Sequence, residues 1–227
     1  MKNQHTNIAR ETLLVSDEII LIGSGGHAKV LFEIAQSYGI QIHGVATLEE
    51  DIPDFLSGLP RLTDQDILSK NPSNTRLING IGSLPFDRLR QIIYEKFTQC
   101  GFKFLSLISK HSVISESASL GDGVNIMAGV VLQAQARIGA NTIINTSSSI
   151  DHDCIIGKHS HIAPGVTLSG LVAVGNNVHI GTGAIVIQGV SIGDNALVAA
   201  GSVIYKNVPA NARVKTQGPM LIEPITS

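Results

Sequence analysis

The chain has 227 residues, 43% of them hydrophobic and 15% charged, with a formal net charge of -2. That is enough for one large or two small domains with a real core, and it supplies no basic field to draw nucleic acid or an anionic membrane. The two cysteines, Cys100 and Cys154, lie far apart without C-x-x-C spacing, which excludes a disulfide framework and a zinc knuckle and fits a reducing cytoplasm.

Residues 1–17, MKNQHTNIARETLLVSD, hold no apolar stretch long enough for a signal peptide and are read as an N-terminal extension. No later segment offers the about 18 uninterrupted apolar residues of a membrane span, so the expected location is the cytoplasm. From Glu18 to Lys110 the pattern alternates between strand and helix. EIILIG is a short buried strand, HAKVLFEIAQSYG has helical spacing ending at Gly39, and IQIHGVA is a second strand. TRLINGIG and FKFLSLI read as further strands, and PFDRLRQIIYEKFTQCG as a helix opening at Pro85 and closing on Gly101. Such alternation predicts a small parallel sheet, a Rossmann-like α/β domain over 18–110.

Beyond Ser109–Ser112 the period changes. Every sixth residue from Ile114 to Ile204, sixteen in all, is Ile, Leu or Val, and the residue two before each is small or β-branched, from Ser112 to Ser202. This is the hexapeptide repeat of a parallel β-helix, expected over 111–208 and followed by a tail over 209–227. Three hexads close one triangular coil, so residues 18 apart sit one strand spacing, about 4.8 Å, above one another. Aromatics do not fit such a prism, in keeping with an aromatic content of 4% and no tryptophan. A strand sandwich would need turns at irregular intervals of about 8 to 12 residues.

In this register His152, in NTSSSIDHDCIIGK, falls two places after the core residue Ile150, at a turn between faces, with its ring pointing outward. Eighteen residues on lies Gly170, so the ring faces bare backbone one coil up. That suits a general base beside a backbone N–H that can hold an oxyanion. A solvated turn is the alternative, and only a turn would let Asp151 or Asp153 bend round to the ring. His161 and His179 are also 18 apart and stack on one face, with His159 nearby. They could hold a metal, but no ladder of carboxylates accompanies them, and no metal is expected.

In the N-terminal half GSGGHA, with Gly23, Gly25 and Ala28, follows a strand and opens a helix, as a phosphate-binding turn does. Many βα turns are glycine-rich for backbone reasons alone. An NAD site would place an acid at the end of the second strand, where Thr47 and Leu48 stand, with Glu49, Glu50 and Asp51 slightly late. The loop NGIGS, Asn79 to Ser83, would lie beside the first glycine turn and line the same crevice, or simply make a tight turn.

Taken together, the glycine turn, the sixteen hexads and TSSSIDHDCIIG make residues 17–215 similar to the NeuD/PglD-type sugar O/N-acetyltransferases, which include the bacillosamine-type N-acetyltransferases. The resemblance implies a left-handed coil, a homotrimer with active sites between subunits, and acetyl-CoA as co-substrate. It implies transfer to the 4-amino group of a UDP-4-amino-4,6-dideoxy sugar in bacterial surface glycan synthesis. It further implies His152 as general base, Asp153 as its orienting acid and the Gly170 N–H as oxyanion donor. Asn145 would place substrate, His161 would lie near the thioester, and Gly25, Gly26, His27 and Gly82 would contact the nucleotide sugar. CoA would lie against Ala199, Ala200 and Gly201. Many relatives carry two aspartates where Thr47 and Leu48 stand, which opens a GDP-linked 4-amino sugar as an alternative. O-acetylation of a sialic or other nonulosonic acid, and a non-catalytic nucleotide-sugar-binding scaffold, are the remaining alternatives. No partner among nucleic acids or membranes is expected.

Overall fold

The computed structural model describes residues 17–49, 51–85 and 87–215. All but Asp17 of the expected N-terminal extension lies outside them, as do residues 216–227 of the expected tail.

The N-terminal half is a five-stranded parallel sheet in the order β3-β2-β1-β4-β5, with β1 at Glu18–Ile22, β2 at Gly44–Ala46, β3 at Arg61–Leu62, β4 at Thr75–Asn79 and β5 at Lys103–Phe104. Alternate residues of β1 serve two cores, as strand pleating requires. Ile19 and Leu21 pack with Leu31 and Ala35 of helix α1 (Gly26–Ser37) and with its C-cap residue Tyr38, and Ile20 and Ile22 pack with Phe97 and Phe104 on the other side. Helix α2 (Asp64–Leu68) begins with a reciprocal cap between Thr63 and Asp66. Helix α3 runs Leu89–Gln99, not from Pro85 as expected. The Asp87 carboxylate accepts from the Leu89 N–H at 2.8 Å, taking a first-turn donor, so the chain before it stays a loop.

The segment expected to form one strand, FKFLSLI, divides between two sheets. Lys103–Phe104 closes the N-terminal sheet, and Leu107–Ile108 already pairs with Asn125–Ile126 of the repeat. From there the chain winds as a triangular prism. Face I has seven strands from Leu107–Ile108 to Arg213–Val214, face II six from Val113–Ile114 to Val203–Ile204, and face III five from Ser119–Leu120 to Ser191–Ile192. Pairing continues past residue 208, where the expected tail begins, since Arg213–Val214 pairs with Leu197–Val198.

Of the sixteen predicted aliphatics, all but the partly buried Leu120 lie in the core. Four polar members of the small-residue slots are accommodated by one recurring bond. Thr142, Ser148, Cys154 and Ser160 donate from their side chains to the carbonyls of Gly157, Ala163, Ser169 and Gly175, each 15 residues on. Three places after each core aliphatic the backbone often turns through the left-handed region, even at non-glycine residues such as Asn141, Asp153, His159 and Asn177. Outward residues of face I are covered by the N-terminal half, where Leu107, Met127 and Ile143 join the core of α1. Fully buried Arg90 of α3 pins the two halves together, donating to the carbonyls of Asn79 and Ile81 on one side and of Asn141 on the other.

Candidate functional site

The edge between faces II and III carries His152. Asp153 follows it with φ of 58°, and this left-handed step bends the carboxylate back, so that its Oδ2 accepts from Nδ1 of the ring at 2.8 Å. The backbone N–H of His152 donates to Asp151 Oδ1 at 2.7 Å. Nδ1 therefore carries a proton and Nε2 presents a lone pair. The pKa of His152 is raised above 6.5, first by the bond to Asp153 and then by the charges of Asp151 and Asp153, because each stabilises the imidazolium. Gly170 lies directly over the ring: a Cβ built there would stand 2.5 Å from Nε2 and 2.6 Å from Cε1. Backbone bonds run from the Leu171 N–H to His152 O and from the Gly189 N–H to Gly170 O, and among the described residues the Gly170 N–H itself has no acceptor. One edge thus holds a proton acceptor, its orienting acid and an open backbone donor.

The crevice above face I holds the glycine turns. The ends of β1 and β4 lie close enough that a Cβ on Gly80 would stand 2.7 Å from Ile22 O, and Gly82 borders the Cβ of His27. Gly25 is the N-cap of α1 and makes no side-chain cap, no acid occupies the first turn, and Gly25 and Gly26 face open space. This leaves free N–H groups at the positive end of a helix dipole, a cradle that fits a phosphate. Thr47 bonds Ser24 through its hydroxyl at 2.7 Å, while Leu48 projects into solvent, 97% exposed. Glu50, one of the acids expected just beyond, lies outside the described residues.

From this crevice the chain reaches His161. The Ser83 carbonyl accepts from His161 Nδ1 at 3.1 Å, and Asn145 Nδ2 donates to His161 Nε2 at 3.2 Å, while Asn145 Oδ1 accepts from the Thr146 N–H. Both ring nitrogens are taken, and burial pushes the His161 pKa down to about 4, so this ring is a neutral, fixed element. The expected stack is present, with His161 and His179 rings edge to face at 4.9 Å. Among the described residues no group of three or more metal-ligating side chains forms. Along the edge between faces I and II, three coils above Asn145, come Ala199, Ala200 and Gly201. Gly165, Gly183 and Gly201 on this edge have no atom within 4 Å of where a Cβ would stand, leaving a strip open to an extended thioester chain.

The chain therefore gathers the expected site residues into two separate groups. His152, Asp153 and Gly170 share the edge opposite face I, while Asn145, His161, the glycine turns and Ala199–Gly201 lie on or beside face I. Within one chain Asn145 and His152 lie on different edges of the prism, because seven residues carry the coil round a corner. Sequence reasoning also missed Arg90, Asn125 and the Ser83 carbonyl, which tie the crevice to face I.

Comparison with known proteins agrees with both halves. Residues 18–97 match the PglD N-terminal domain model, 135–170 the bacterial transferase hexapeptide (six repeats) and 171–206 the hexapeptide repeat of succinyl-transferase. The chain is 34% identical to PerB from Caulobacter crescentus, solved in complex with CoA and GDP-perosamine, covering 89% of this chain and 95% of that one with a TM-score of 0.78. It is 31% identical to the acetyltransferase domain of PglB from Neisseria gonorrhoeae in complex with acetyl coenzyme A, covering 87% and 95% with a TM-score of 0.76. A GDP-perosamine N-acetyltransferase from Escherichia coli O157:H7 is 32% identical over 86 residues, a match that spans only 38% of this chain and 39% of that relative. No helix among the described residues is long and apolar enough to cross a membrane.

Proposed function

Since the chain belongs to the NeuD/PglD-type family of sugar acetyltransferases, with a left-handed β-helix, we propose that it transfers acetyl from acetyl-CoA to the amino group of a nucleotide-linked 4-amino-4,6-dideoxy sugar. The observation that carries this reading is the pairing of His152 Nδ1 with Asp153 while Nε2 stands free over Gly170. The sugar amine attacks the thioester carbonyl, Nε2 of His152 takes the proton the amine sheds, and the CoA thiolate leaves and recovers that proton. The Gly170 N–H stabilises the charge that develops on the carbonyl oxygen, a role worth about 2.7–4 kcal/mol when such a donor is preorganised. No acyl-enzyme is involved. Cys154 is fully buried and its thiol donates to Ser169 O, which removes it as a nucleophile.

The family resemblance implied a UDP-linked sugar, with a GDP-linked one among the alternatives. We now place GDP first, because Caulobacter PerB and the E. coli relative are both tied by name to GDP-perosamine, and Thr47 and Leu48 stand where an acid was expected. The active form is a homotrimer in which His152 of one subunit meets the crevice, Asn145 and the open I/II edge of the next. Two features support this. The base lies across the prism from the rest of the site, and face II exposes Val113, Ile185 and Val203 at 65%, 45% and 56%. Acetyl-CoA with a panel of GDP- and UDP-linked 4-amino sugars and a free nonulosonic acid, read by mass, tests the proposal. A gain of one acetyl group on an amino sugar supports it. Acetylation of the nonulosonic acid alone would move the reading to O-transfer, and no acceptor at all would leave a binding scaffold.

A further inference from the structure

Asn125 lies on face I beneath the N-terminal half, wholly buried, at an outward strand position. Its Oδ1 receives two contacts, Arg90 Nη2 at 2.8 Å and His27 Nε2 at 3.1 Å. A guanidinium only donates, so the atom facing Arg90 is the amide oxygen and not its nitrogen. An amide oxygen only accepts, so His27 Nε2 must bear the hydrogen. A neutral imidazole carries one such hydrogen, which leaves Nδ1 bare. Among the described residues Nδ1 of His27 has no partner, and it is not among the enclosed polar atoms, whereas Asn125 Nδ2 is buried without a partner.

We propose that Asn125, held by Arg90, is a positioning residue that fixes His27 as the Nε2–H tautomer, so that Nδ1 accepts a hydrogen bond from a donor group of the nucleotide-linked substrate. The donor is a sugar hydroxyl, an amine or a base N–H. A phosphate oxygen is an acceptor and would repel that lone pair, and it goes to the uncapped N-terminus of α1 instead. The groups that bear on His27 are Arg90 from α3 and Asn125 and His161 from face I, none of them acidic; burial first, then Arg90, with a smaller contribution from His161, lower its pKa to about 3 against the bond to Asn125, which raises it. This explains why the residue under Arg90 is an asparagine. An aspartate would pair with the guanidinium equally well, but it would also draw a second proton onto His27 and turn Nδ1 from acceptor into donor. The orphaned Asn125 Nδ2 fits a position where only the oxygen is wanted.

The role in binding rests on the function proposed above, but the tautomer does not. Long-range ¹H–¹⁵N correlation spectra of the full-length protein, with His27 assigned by the His27→Gln variant, should show a pyrrole-like Nε2 and a pyridine-like Nδ1, unchanged between pH 8 and 5. A protonated Nδ1 in the wild type at neutral pH overturns the proposal without reference to activity. In Asn125→Asp both nitrogens should become pyrrole-like at neutral pH. The KM for the nucleotide sugar should then rise roughly tenfold relative to wild type, with kcat at saturation within about threefold, since neither Asn125 nor His27 bonds to His152 or Asp153. The defect should shrink as pH rises and the imidazolium loses its proton. In Asn125→Ala the KM defect should not depend on pH, and identical pH behaviour in the two variants would reduce Asn125 to a packing role. If no nucleotide sugar is acetylated under any condition, the proposed function fails, and the spectra still decide the tautomer.

Discussion

Gly170→Ala is the sharpest probe of the II/III edge because it displaces the His152 ring without removing any atom of the proposed site. The added Cβ would stand 2.5 Å from His152 Nε2, 2.6 Å from Cε1 and 3.1 Å from Cδ2, and ordinary contact begins near 3.4 Å. The ring must retreat by about 0.9 Å or swing on χ1 and give up its 2.8 Å bond to Asp153. A misplacement of about 1 Å in a reacting group can lower turnover on the order of 10²-fold. The fold should not suffer. Gly170 is absent from the left-handed residues, its N–H and carbonyl are retained, and the coil-to-coil bonds from the Leu171 and Gly189 N–H groups are untouched. At such sites Gly→Ala is neutral or stabilising by about 0.4–1 kcal/mol through the unfolded chain. The assay is release of CoA thiol at saturating acceptor, beside a calorimetric melt. A variant that melts at or above the wild-type temperature and turns over about 10²-fold slower supports the assignment. Turnover within about threefold of wild type would mean that the position of His152 is irrelevant to the chemistry, and His152 would not be the base.

Asp153→Asn should lower the His152 pKa, because the bond that raises it favours the charged ring. The acid limb of kcat/KM, set above the ordinary 6.5 in the wild type, should move to lower pH while the plateau falls. An unmoved limb would assign it to another group. Ile150→Ala empties a fully buried rung of the aliphatic ladder and should cost about 2–5 kcal/mol in urea unfolding of whatever oligomer is native, whereas His152→Ala should leave the midpoint nearly unchanged. A loss below about 1 kcal/mol for Ile150→Ala would contradict a close-packed prism. Of the two thiols, exposed Cys100 should react promptly with a disulfide reagent and buried Cys154 only after denaturation, with activity kept by the singly labelled protein. Inactivation tracking a second, fast-reacting thiol would contradict the direct-attack mechanism.

The core of the helix was legible residue by residue, since each hexad repeats one local environment and an Ile, Leu or Val every sixth place leaves little freedom in register. For the same reason the pairing of His152 with Gly170 and of His161 with His179 could be read at a spacing of 18. What that arithmetic hides is direction around the axis. Asn145 and His161 lie seven and nine residues from His152, near in sequence, yet a coil places such neighbours on different sides of the prism. The join between halves was equally hidden, because FKFLSLI has the composition of one strand and only its partners divide it. Arg90 and Asn125 gave no sign either. A polar residue on a helix and another on a strand look solvated until a second domain closes over both.

The histidines show how a single fold supplies two chemistries. On face I and its border, His27, His159, His161 and His179 all have lowered pKa values, with burial the first cause in each. Lowered pKa values favour the neutral ring, which can hold fixed hydrogen bonds, as His161 does with Ser83 and Asn145, but is a poor acceptor for a proton taken from an amine. At the II/III edge the left-handed turn leaves His152 in solvent and folds a carboxylate against it, and the pKa moves the other way. A face position under a second domain thus keeps a histidine neutral, as the proposed reading of the substrate requires, and an edge position beside a carboxylate raises its pKa, as the proposed base requires. The two kinds cannot occupy the same side of one prism, since the domain that neutralises the first would desolvate the second. A site that needs both is therefore best built across two prisms, which is the physical argument behind the proposed site between subunits.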